Sequence, residues 1–276
     1  MEGSERTLLT SVVASRAVSV EPATSNINLG VVCPMANERG TAAAFVQEVL
    51  AACEPFRFKS LTFFAVLDRV SRDGTLDLLK ELEATLPQLR VVWAPENRCV
   101  VDAYLRGYRE ALDAGCDWVL EIDAGYSHQP ADIPRFFEKM LEGHDCVFGS
   151  RFCHGGRITE SSFKREVISR GGTLLTNLLL GTQLTDMTSG FELFSRAALE
   201  EVLRRGINSR GHFFQTEIKA HCHSLRLTEV PIHYRAASDS VNNNVLKDAF
   251  ANLWRLFRAR SSRGQAVAPL EQDEVV

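Results

Sequence analysis

The chain has 276 residues, 45% of them hydrophobic, enough to bury the core of one large domain. Its 35 acidic residues outnumber 31 basic ones, for a formal net charge of −4, which argues against a nucleic-acid binder. No apolar run approaches the roughly 18 residues that span a bilayer, and the seven cysteines contain no CxxC pair, as expected of buried thiols in a reducing cytoplasm rather than a disulfide scaffold.

Residues 1–26 are rich in Ser, Thr, Ala and Val and are broken by Glu2, Glu5, Arg6 and Arg16, so they read as a disordered tail rather than a signal peptide. INLGVVC (27–33) reads as a buried strand closed by Pro34, with Asn37 and Glu38 opening a helix over about 39–52. LTFFAVL (61–67) is a second strand ending at Asp68, and the turn SRDGT (71–75) feeds a helix to about Thr85. A third strand runs from Leu89 to Trp93, then a helix over 100–114 that sets Tyr104, Tyr108 and Leu112 on one face. Trp118 to Ile122 is the fourth strand, an apolar run interrupted by one acid, and it ends in Asp123. That aspartate either caps the helix that follows Pro130 or holds a ligand at the strand's carboxyl end.

The second half holds a strand from Asp145 to Phe148, the Gly-rich turn 154–157, and a helix over 163–180. A loop at 188–191 leads into a short strand, Arg226 to Tyr234 is a longer one, and 245–263 is an amphipathic helix with Phe250, Trp254 and Phe257 beside Arg255, Arg258 and Arg260. That helix packs on the sheet or lies on a membrane. Residues 264–276 read as a disordered acidic tail. Strands alternating with helices of ten to fifteen residues imply an α/β fold with a mostly parallel sheet over 27–244. Polar residues following three strands (Asn37 and Glu38, Asp68, Asp123) mark one crevice for a nucleotide. No GxGxxG or GxxxxGK[ST] is present, so a diphosphate there needs a cation or arginines.

The series PMANE (34–38), LDRVSRDGT (67–75), EIDAGYSHQPADIP (121–134), FGSRF (148–152), KREVISRGG (164–172), DMTSGFELF (186–194), FFQTEI (213–218) and EVPIHYR (229–235) resembles family 2 glycosyltransferases, and within them the polyprenol-phosphate or dolichol-phosphate mannose synthases. The resemblance covers about Leu29 to Tyr234. It implies a GT-A fold and an inverting transfer of a hexose, mannose by analogy, from a nucleoside diphosphate sugar to polyprenyl phosphate. GDP-mannose is the implied donor, with a UDP-sugar as the alternative, and Mg²⁺ or Mn²⁺ the implied cofactor. A small soluble acceptor and a non-catalytic sugar-nucleotide binder are the rival readings.

Carried over position by position, the resemblance assigns Pro34, Ala36, Asn37, Glu38, Asp68, Asp123, Ala124, Gln215 and Arg235 to the donor, and Asp123 with Ser127 to the metal. Arg151, Arg165 and Ser169 fall where the acceptor phosphate is held, and Asp123, Arg151 and Arg165 are the implied catalytic residues. Arg165 and Ser169 are four apart and share a helical face. This chain also departs from the pattern. Gly125 replaces the second aspartate of D-x-D, Arg69 the second acid of VDDGS, and Ala36 the tyrosine of P-x-Y-N-E, while Ser238 to Asn242 lacks the late lysine. With one carboxylate left, weak metal binding is expected. Gly125→Asp is expected to tighten it, provided the loop tolerates a side chain.

Overall fold

Buried β-rich runs alternating with helices build the first half of a computed structural model that describes residues 23–160, 163–235 and 243–265, with side chains undescribed at 165, 243–245 and 261–265. β1 (Asn28–Pro34) is followed by α1 (Ala42–Cys53), β2 (Ser60–Leu67), α2 (Thr75–Glu83), β3 (Leu89–Trp93), α3 (Val100–Asp113) and β4 (Trp118–Glu121). Then come α4 (Ile133–Leu141), β5 (Cys146–Ser150), β6 (Arg157–Thr159), α5 (Phe163–Leu180), β7 (Glu192–Ser195), α6 (Arg196–Arg205), α7 (Phe214–Cys222), β8 (Leu227–Pro231), β9 (His233–Arg235) and α8 (Asn243–Gln265).

The main sheet has the order β3-β2-β1-β4-β7-β5-β8. Only β7 runs against its neighbours, β4 and β5. The chain moves outward from β1 to β3 and then returns to lay β4 on the other side of β1. Strand order therefore reverses between β1 and β4, two adjacent parallel strands whose outgoing loops lie at the same edge of the sheet and frame a crevice. Leu29 to Cys33 of β1 are all buried, as a central parallel strand covered on both faces requires.

One face of the sheet is covered by α1, α2 and α4 through Phe45, Val46, Leu79, Phe136 and Phe137. The other is covered by α3, α6 and α7 through Tyr104, Tyr108, Leu199, Val202 and Ile218. α5 and α8 pack together around Leu180, Phe213, Leu253 and Leu256, in a separate apolar cluster.

Several elements depart from expectation. Residues 23–26 are a turn rather than loose tail, with Thr24 buried and its hydroxyl donating to the Phe56 carbonyl. The other tail residues, 1–22 and 266–276, lie outside the described ones, and the helix expected to end at 263 continues to Gln265. The single strand expected over 226–234 is two: the ladder with β5 ends at Pro231, where the Ile232 N–H donates to the Ser150 carbonyl (3.0 Å). Beyond it the chain turns to pair β9 with β6, which begins at Arg157, the last residue of the expected Gly-rich turn.

Candidate active site

The loops after β1 and β2 are locked to each other by their backbones. Asn37, in left-handed conformation (φ 60°), donates from Nδ2 to the Val70 carbonyl (3.2 Å) and accepts from the Arg72 N–H (2.9 Å). The Glu38 N–H donates to Thr75 Oγ1 (2.8 Å), and Asp68 Oδ1 accepts from the Val70 N–H (2.8 Å). Asn37 and Asp68 are thus committed to loop geometry, while Pro34 and Glu38 are half-buried and Ala36 is exposed beside them.

The loop after β4 carries Asp123, whose side chain is 41% exposed. Tyr104 of α3 donates its hydroxyl to Asp123 Oδ1. Burial, and then Asp123 itself, push the Tyr104 phenol well above its ordinary value, so it stays a donor. The Asp123 N–H donates to His128 Nδ1 (3.1 Å), which fixes that nitrogen as the unprotonated one. His128 is buried, stacked on Phe191 at 5.0 Å between ring centroids, and burial holds it below the usual histidine range. It is a neutral packing group that shapes the loop. Tyr126 anchors the loop's far side through Glu48 Oε1 (2.7 Å) and the edge of Phe45. The Ser127 carbonyl accepts from the Arg235 N–H (2.9 Å), so the loop is also tied to β9.

Gly125 has φ +70°, and a Cβ placed there would lie 2.8 Å from Glu38 Oε1 and 3.2 Å from Oε2. The expected gain in metal binding from Gly125→Asp is therefore corrected. A side chain at 125 is strained by its backbone and meets a carboxylate of like charge. Among the described residues no three His, Cys, Asp or Glu side chains converge as a protein-only metal cage. A cation bridged to a diphosphate needs only one or two carboxylates and completes its shell with phosphate oxygens. Asp123, with the Glu38 carboxylate at the Gly125 gap, fits that requirement.

Gln215 does not line an open donor crevice. It is buried, and its amide donates to Glu121 Oε1, while Tyr108 donates to Glu121 Oε2. Across the β4·β7 ladder Glu121 faces Glu192, which pairs with the buried Lys219 at 2.6 Å. Burial pushes Glu121 well above the usual carboxylate range, and Glu192 raises it further. Burial also raises Glu192, Lys219 opposes this, and the result is about 7. Among the described side chains Glu192 Oε2, Gln215 Oε1 and Ser189 Oγ have no partner. This polar layer beneath Asp123 went unread in the sequence. Its signal was a single acid inside each apolar strand, in WVLE and in ELF.

Arg151 is not an open phosphate ligand either. It is 6% exposed, bidentate to Asp186 at 2.6 and 2.8 Å, and bonded to Thr188 Oγ1. Burial alone would raise Asp186, but the Arg151 guanidinium overrides it and holds the carboxyl at about 2. Arg151 still reaches the wall of a groove of about 400 Å³ between α5 and α8. Ser169, Gly172, Leu175, Phe213, Leu246 and Leu253 also line that groove, mostly with apolar surface. The side chain of Arg165 lies outside the described ones, as do residues 238–240 and the rest of 236–242. Arg235 is exposed and paired with Glu160 (2.9 Å), and Ala124 is half-buried in the Asp123 loop.

The pattern described as glycosyl transferase family 2 matches residues 30–203. An undecaprenyl-phosphate mannosyltransferase of Micrococcus luteus is 31% identical over 195 residues, 69% of this chain and 80% of that protein. A polyprenol monophosphomannose synthase of Mycolicibacterium smegmatis is 30% identical over 207 residues, 74% of this chain and 76% of that protein. Among solved structures, glucosyl-3-phosphoglycerate synthase from Mycobacterium tuberculosis, crystallised with Mn²⁺, UDP and phosphoglyceric acid, has a TM-score of 0.60 at 17% identity. The alignment covers 90% of this chain and 81% of the synthase, and at that identity the likeness is one of fold.

Proposed function

The chain belongs to glycosyl transferase family 2, and from that membership we propose that it moves mannose from GDP-mannose to a polyprenyl phosphate. It is a glycosyltransferase of GT-A fold. The observation that carries the acceptor is the apolar groove between α5 and α8, whose polar lining includes Arg151, Ser169 and Thr188. An isoprenoid chain suits its leucines and phenylalanines, and a phosphate suits its polar residues.

Asp123 and the loops after β1 and β2 face the donor. A divalent cation bound there, Mg²⁺ or Mn²⁺, would neutralise the charge that grows on the leaving diphosphate. An acceptor phosphate is already ionised at neutral pH and attacks the anomeric carbon without a strong general base. This accords with a buried, neutral His128 that has no basic role. The Arg151–Asp186 pair braces the groove, which leaves Ser169 as a phosphate-facing candidate on its wall.

No helix among the described residues is long and apolar enough to cross a membrane. Delivery of a lipid acceptor then requires contact with the bilayer surface. Phe163 (82% exposed), Val167, Leu174 and Leu178 form an open stripe along α5, and Phe250 and Trp254 extend it on α8. Lys164, Arg170 and Lys247, which favour anionic headgroups, stand exposed on the same two helices.

The test supplies the protein with radiolabelled GDP-mannose or UDP-glucose, Mn²⁺, and either polyprenyl phosphate in detergent micelles or 3-phosphoglycerate. Label from GDP-mannose passing into the organic extract is the expected result. Label passing only to the soluble phosphoester overturns the lipid acceptor, and label from UDP-glucose alone overturns the donor.

A further inference from the structure

We propose that Glu38 supplies the second carboxylate of the cation site, reaching from the end of β1 into the space that Gly125 leaves open. This rests on the reading that the crevice takes a nucleoside diphosphate sugar. The reversal of strand order brings the loops after β1 and β4 side by side, so a carboxylate from one can replace a carboxylate lost from the other. Glu38 and Gly125 meet there: Oε1 lies 2.8 Å from where a Cβ at 125 would stand.

The glutamate is held for this role. Its N–H is bonded to Thr75 Oγ1 at 2.8 Å, which fixes the backbone. Thr41 donates to Oε2 at 2.6 Å, and Oε1 is the oxygen turned nearest to the Gly125 gap. Asp123 is the other half. Tyr104 holds its Oδ1, and the side chain remains 41% exposed toward the crevice. Two hard oxygen donors from neighbouring strand ends, completed by diphosphate oxygens, make a set suited to Mg²⁺ or Mn²⁺.

The same contact explains why glycine occupies position 125. Its φ of +70° already disfavours a side chain, and a carboxylate there would compete with Glu38 for one volume.

The experiment measures Mn²⁺ binding by the electron paramagnetic resonance of free Mn²⁺, in the presence of GDP, and GDP binding in EDTA by calorimetry. Glu38→Gln, which keeps shape and removes charge, is expected to weaken Mn²⁺ at least tenfold in the ternary mixture. Its GDP affinity in EDTA should move less than twofold, with the melting temperature unchanged. Glu38→Ala combined with Gly125→Asp is expected to recover Mn²⁺ affinity relative to Glu38→Ala alone, since aspartate tolerates the left-handed region better than most residues. If the double variant does not fold, Glu38→Gln decides alone.

Unchanged Mn²⁺ affinity in Glu38→Gln overturns the proposal. So does a fall in GDP affinity in EDTA as large as the fall in Mn²⁺ affinity, which would make Glu38 a nucleoside ligand. Wild-type protein that binds neither GDP nor UDP would instead overturn the donor reading on which the proposal rests.

Discussion

Asp123 combines exposure with constraint. Tyr104 and the backbone bond to His128 hold it from behind, while its side chain stays open toward the crevice. Asp123→Asn keeps the hydrogen-bonding shape and loses the charge. It should cut kcat by at least about 100-fold, comparable to removing one charge-stabilising group from an active site, with a nearly unchanged melting temperature. Steady-state transfer at saturating donor checks this, and unchanged turnover would move the catalytic centre elsewhere. This aspartate was legible in the sequence because it follows a buried run and precedes turn residues. Its bond to Tyr104 was not, nor was the approach of Glu38 to Gly125 in the same loop. Those contacts cross 19 and 87 positions of chain, and no local period records them.

The joints between elements carry the sharpest correction. Arg151 and Asp186 join the end of β5 to the loop before β7, and both are buried. Removing one partner of a buried pair leaves the other charge uncompensated, which costs about 3–5 kcal/mol. Arg151→Ala should therefore lower the melting temperature by roughly 6–20 °C for a domain of this size. Scanning calorimetry checks it, and a drop below about 2 °C would show that the pair contributes little. An activity loss in this variant says nothing about the acceptor unless folding is measured beside it. The resemblance placed Arg151 at the acceptor phosphate, and nothing local in the sequence marks Asp186, 35 positions later, as its partner. The parallel strands were legible as buried runs closed by Pro34, Asp68 and Asp123. The three-residue β6 and β9 were not, since strands that short carry no alternation to read.

Across the whole molecule, three buried carboxyls, one lowered and two raised, shape stability against pH. Asp186 is lowered from 3.8 to about 2, so the stability it adds is present above pH 3.8 and is lost as pH falls toward 2. Glu192 is raised from 4.5 to about 7, and Glu121 is raised in the same direction. The contribution of Glu192 is complete below pH 4.5 and is lost as pH climbs through 7, and that of Glu121 is likewise lost toward higher pH. Glu121→Gln mimics the protonated acid and removes one of these titrations. Its melting temperature relative to wild type should rise as pH is raised. A variant curve parallel to wild type would show that this titration does not bear on stability.

The antiparallel strand β7 sits between β4 and β5, so the sheet is not closed in the order in which it is made. β4 leaves the ribosome about seventy residues ahead of the strand that covers its free side. At roughly 5–20 residues per second, that edge waits on the order of several seconds. During this interval the nascent chain exposes an unpaired apolar edge with Glu121 on it, and an acid left in water there remains charged. Docking of β7 brings Glu192 opposite, and from then on the two carboxylates can share the core only if a proton or Lys219 arrives with it. Docking of β7 is therefore also an uptake of positive charge.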